Sequence, residues 1–152
     1  MTELIAKAKM LIRRPPTDVF NAFVQPELIT KFWLEGTTGP LGPAAQVQWR
    51  FMVPGATECV RVTTFNEPHR IAFTWADGGL DVDMKFSGER EGVTTISVEV
   101  RGFKSDDGAD QVVNATEGFS IVLCDLKVLL ETGRSASLVK DKAALIHSDR
   151  KH

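Results

Sequence analysis

The chain predicts an α+β domain in which a curved antiparallel sheet of about six strands wraps one long C-terminal helix, with two short helices between strands 1 and 2. Three observations carry that prediction. Short segments between residues 46 and 101 alternate apolar and polar side chains at period two. A run from Ala109 to Gly133 changes to steps of three and four. The turns between the alternating segments are too short for the crossovers that parallel strands require.

The first strand comes from Leu4 to Ile12, where Ala6, Ala8, Met10 and Ile12 fall on one face and Lys7 and Lys9 on the other. Pro15 and Pro16 cannot extend a ladder, but a proline is well placed at the start of a helix. Val19, Phe20, Phe23 and Val24 recur at helical spacing and define that helix. Pro26 opens a second helix through Leu28, Ile29, Phe32 and Trp33, with its end expected at Gly36. A Gly- and Pro-rich loop is expected from Gly36 to Ala45.

Five further strands follow. Val47, Trp49, Phe51 and Val53 alternate with Gln46, Gln48 and Arg50, and Pro54-Gly55 supplies a turn. Glu58 to Phe65 is rich in β-branched residues and closes at Asn66-Glu67-Pro68-His69. Ile71, Phe73 and Trp75 form the next alternation, before Asp77-Gly78-Gly79. Leu80, Val82, Met84 and Phe86, then Ile96, Val98 and Val100, give the last two.

In the long helix Val112, Thr116, Phe119, Leu123, Leu126 and Leu130 make one stripe, and further apolar residues widen it enough to predict burial. Gly133 is its expected cap. The domain is expected over residues 1–134. Residues 135–152 form a polar tail with a candidate short helix at Leu138 to Ile146.

Composition excludes several function classes. With 152 residues and 43% hydrophobic content the chain suits one domain with a real core. A formal charge of −2 with interspersed signs does not make the basic face of a nucleic-acid binder. No apolar run reaches spanning length and the start lacks a signal-like segment, so a cytoplasmic location is the expectation. Cys59 and Cys124 are far apart and read as reduced, buried thiols. His69, His147 and His152 form no ligand cluster, so neither a metal nor another cofactor is expected.

Assigning the apolar set of each strand to one face puts Trp49, Phe51, Phe73, Trp75, Met84, Phe86, Val98 and Val100 inside. A helix across a curved sheet can diverge from it at one end and leave a cavity. The candidate lining is Trp33, Trp49, Phe51, Phe73, Trp75, Met84, Phe86, Phe119 and Leu123. Leu126 and Leu130 are expected in continuous core. Glu58 and Arg61 are the candidate polar groups of the pocket. Gly36 to Gly42 lacks the lysine and spacing of a phosphate loop and reads as a lid or rim.

No catalytic residues are expected. No histidine falls at an inward position to activate a Ser or Cys. Asp81 and Asp83 share the solvent face, not a cleft. The long helix shows no inward histidine or carboxylate.

Pro16-Thr17-Asp18-Val19-Phe20 with Phe32-Trp33, then Glu67 to Trp75, Glu117-Gly118-Phe119 and Leu126 to Gly133, resemble the START-like (SRPBCC, Bet v 1-like helix-grip) superfamily. Within it the chain is similar to the bacterial group related to the C-terminal domain of the activator of Hsp90 ATPase, over about residues 3 to 133. The resemblance implies a helix-grip fold. It also marks Phe119 as a position where that family commonly carries tryptophan, a difference that alters cavity size. The chain does not show the separate N-terminal domain of the eukaryotic activator, so direct stimulation of Hsp90 is not expected.

The expected function is binding of a small hydrophobic or amphipathic molecule between sheet and helix. The alternatives are an aromatase/cyclase-like enzyme using the same pocket and a co-chaperone-like interaction module. Homodimerisation is compatible with the sequence, although no seam marks it.

Overall fold

The computed structural model describes residues 3–75, 79–104 and 106–150, the last four of these by backbone alone. The expected turn at Asp77-Gly78 and the side chains of His147 and His152 lie outside the described residues. The chain runs β1 (Ala6–Ile12), α1 (Pro16–Val24), α2 (Pro26–Phe32), β2 (Leu34–Thr37), β3 (Gln46–Phe51) and β4 (Thr57–Asn66). It continues through β5 (Arg70–Trp75), β6 (Leu80–Arg90), β7 (Val93–Arg101), α3 (Gly108–Thr132) and α4 (Leu138–Arg150). The fold is α+β and helix-grip-like.

All seven strands form one antiparallel sheet in the order β1-β7-β6-β5-β4-β3-β2. β2 to β7 follow one another as a meander, and β1 adds beside β7. The registers Met84↔Ile71 and Met84↔Val98 align the apolar rows of β5, β6 and β7. One face is therefore continuous and dry, while Lys85, Ser97 and their neighbours form the outer one.

Seven strands replace the expected six because α2 stops at Phe32 and Leu34–Thr37 pairs with β3. Four residues are too few to show a period, and Gly36 reads as a helix stop. It instead lies under Arg50, whose guanidinium a side chain at this position would strike. Trp33 caps α2, its backbone N–H donating to the Ile29 carbonyl at 3.0 Å.

The core is asymmetric. α1 covers the β6–β7 side, where Phe20 and Phe23 meet Phe86 edge-on at 5.2 and 5.9 Å. The C-terminal half of α3 lies along β1: Lys127 Nζ donates to the Leu11 carbonyl at 2.8 Å, and Glu131 accepts from the Arg13 backbone N–H at 2.9 Å. Gly133 ends α3 in the left-handed conformation (φ 85°), donating to the Leu129 carbonyl. Phe119, Val122, Leu123, Leu126 and Leu129 make its buried stripe. Leu126 is core as expected, and Leu130 is only partly buried against it.

The expectation of burial around most of the α3 girth does not hold. Val113 is 65% exposed, so α3 keeps a solvent-facing side. No helix among the described residues is long and apolar enough to cross a membrane.

Candidate ligand cavity

Between the middle of α3, the β3 and β5 ends of the sheet and α4, a cavity of about 320 Å³ opens. Its inner wall is Trp33, Phe51 and Trp75. The β3–β4 turn contributes Met52, Val53 and Ala56. α3 supplies Ala115, Gly118, Phe119, Ile121 and Val122. The outer wall is α4, through Val139, Lys142, Ala143 and Ile146.

The inner wall is rigid because its rings hold one another. Trp33 meets Trp49 at 4.9 Å and Phe119 at 5.6 Å, both edge-on, and Trp75 stacks on Phe119 at 5.9 Å with the planes 25° apart. Such pairs contribute about 0.5–1.5 kcal/mol each beyond burial. Gly118 adds open volume, since a Cβ built there meets no atom within 4 Å. Lys142 is the one charged side chain in the lining among the described residues. Its Nζ lies 2.8 Å from Glu117 Oε1 on α3.

Of the candidate lining residues, Trp33, Phe51, Trp75 and Phe119 face the cavity. Trp49, Phe73, Met84, Phe86 and Leu123 do not; each is at most 2% exposed within packed core. A strand's period gives the inward face but not which stretch of it borders open volume. Arg61 is on the outer face and exposed, opposite Gln46 and Thr74 in the ladder. Glu58 is opposite Trp49, half-buried, and does not line the cavity.

Nor does the Gly36 to Gly42 segment form the lid. Leu41 is buried and its N–H donates to the Val24 carbonyl, while Gly36, Thr37 and Pro40 border a separate shallow groove with Arg50. The lid position belongs to α4, inside the segment read as a polar tail. Val139, Lys142, Ala143 and Ile146 recur at three- and four-residue spacing, a signal present in the sequence but diluted by the intervening charges.

One group was missed outright. Asp125 is a carboxylate on α3 that is 1% exposed, contrary to the expectation of none inward. Its oxygens accept from Ser135 Oγ and the Ala136 N–H, each at 2.8 Å, so it pins the α3–α4 connection and is outside the cavity lining. Cys59 is exposed and Cys124 half-buried, so neither is the buried thiol expected. Cys59 lies on the outer face of β4, opposite Gln48.

No functionally curated protein matches the chain in sequence. Among solved structures it is similar to protein SSP2350 from Staphylococcus saprophyticus, at 27% identity and a TM-score of 0.76 over 86% of this chain and 94% of that one. The Aha1 dimer from Colwellia psychrerythraea matches at 16% identity and a TM-score of 0.76, over 89% of this chain and 100% of the other. DynU16, described as a putative protein in the dynemicin biosynthetic locus, matches at 17% identity and a TM-score of 0.77. That match covers 88% of this chain and 49% of DynU16. The sequence profile of the Activator of Hsp90 ATPase homolog 1-like proteins matches residues 13–131. The chain belongs to that family.

Proposed function

We propose that this protein binds a small hydrophobic or amphipathic molecule in the cavity between β3, β5, α3 and α4. The observation that carries the reading is the cavity itself. At about 320 Å³ it lies at the lower end of small-molecule sites, and its walls are aromatic and aliphatic except for Lys142. A packed helix-grip core needs no such space, and open apolar volume forfeits dispersion contacts that a ligand would restore. The rigid ring cluster favours binding further, because little is left to order when a ligand enters.

Gly118 provides the test. Tryptophan at this position projects from α3 into open volume and replaces a poor helix former, so Gly118→Trp is expected to fold normally. N-phenyl-1-naphthylamine, an uncharged fluorophore, should bind the native protein at one site per chain. Gly118→Trp should weaken that binding by about tenfold or more, since the indole takes the ligand's place. A folded native protein that takes up no fluorophore, or a variant that binds it undiminished, would sink the reading.

A further inference from the structure

Lys142 occupies a place where an amphipathic helix is expected to carry an apolar residue. Positions 139, 142, 143 and 146 form the stripe that α4 turns to the cavity; Val139, Ala143 and Ile146 are apolar, and Lys142 shares their face. Lysine stems often lie along apolar surface with the ammonium in water. Here the ammonium stays at the cavity edge beside Glu117, whose side chain is 53% exposed. That partner is well hydrated and held only by a surface ion pair, so it yields readily to another anion. Glu117 does not itself line the cavity, which leaves the lysine as the charge a bound molecule meets.

Resting on the cavity reading above, we infer that the ligand is an apolar molecule with an anionic head, a carboxylate or its equivalent. Its body lies against Trp33, Trp75 and Phe119, and its head replaces Glu117 at Lys142 Nζ. The aromatic walls alone would also suit a cation through their ring faces. Lys142 lies on the lining and its partner Glu117 outside it, so a cation at this edge meets the ammonium first.

Three probes with the same tail and different heads separate these possibilities: decanoate, decanol and decylamine, titrated calorimetrically into the full-length protein near neutral pH. Decanoate is expected to bind several-fold tighter than decanol, because its head exchanges the hydrated Glu117 pair for one at the cavity edge, with decylamine weakest. Lys142→Met keeps the stem and removes the charge, so it should erase the preference for decanoate over decanol. Lys142→Glu should favour decylamine over decanoate. Equal binding of decanoate and decanol by the native protein, or a preference that survives Lys142→Met, overturns the head-group assignment and leaves the cavity reading standing. Binding of none of the three overturns both.

Discussion

Glu131 joins the end of β1 to α3, and its chemistry makes that junction sensitive to acid. Its carboxylate accepts from Lys127 Nζ at 2.6 Å and from the Arg13 backbone N–H at 2.9 Å, with the Arg13 guanidinium 3.8 Å away. The lysine hydrogen bond, then the backbone one, hold its pKa below the ordinary glutamate value. A carboxylate with a lowered folded-state pKa stabilises the fold above its unfolded-state pKa, and that contribution fades as pH falls through the folded value. Glu131→Gln is therefore expected to lose about 1 kcal/mol near neutral pH. The gap from the native protein should close as pH drops below the usual carboxylate range. Urea unfolding across that range measures it; a pH-independent gap would mean that the carboxylate charge is not what acts there.

Between elements, the connection from α3 to α4 depends on Asp125. Asp125→Ala leaves Ser135 Oγ and the Ala136 N–H without their acceptor, an expected cost of about 1–3 kcal/mol. Asp125→Asn keeps one acceptor oxygen and should recover part of it. Hydrogen exchange should quicken across α4 in the alanine variant while the β5–β7 amides stay protected; uniform acceleration would show that the residue supports the core, not the hinge. This residue also shows where sequence reading stops. The sheet and α3 were legible because alternation and three-to-four spacing report burial of apolar side chains, as from Trp49 to Phe51 and from Phe119 to Leu126. A buried aspartate carries no such pattern. Its partners lie ten and eleven residues away and become neighbours only when the chain reverses after Gly133. The cavity was half legible for a related reason. Trp33, Phe51, Trp75 and Phe119 share the inward face with Trp49 and Phe73, and only the path of α3 distinguishes the two sets.

For the molecule as a whole, the sheet–α3 core and the α4 wall divide the labour between folding and binding. Among the described residues the fully buried large side chains, such as Phe20, Phe23, Phe32, Trp49 and Phe73, all precede α4, so cooperative folding draws on contacts that α4 does not make. α4 contributes the buried Ala143 and the partly buried Val139, Lys142 and Ile146, with the Lys142–Glu117 pair across the gap. Ending the chain after Ala136 keeps both partners of Asp125 and removes that wall. The shortened protein is expected to unfold in one cooperative transition, less stable by roughly 3 kcal/mol for the lost apolar cover. It should also lose most fluorophore binding, because Phe119 and Val122 would then face water. Urea denaturation and fluorophore titration on the same preparation check both halves. Loss of cooperative folding would place α4 within the core, and undiminished binding would move the site away from the α3–α4 gap.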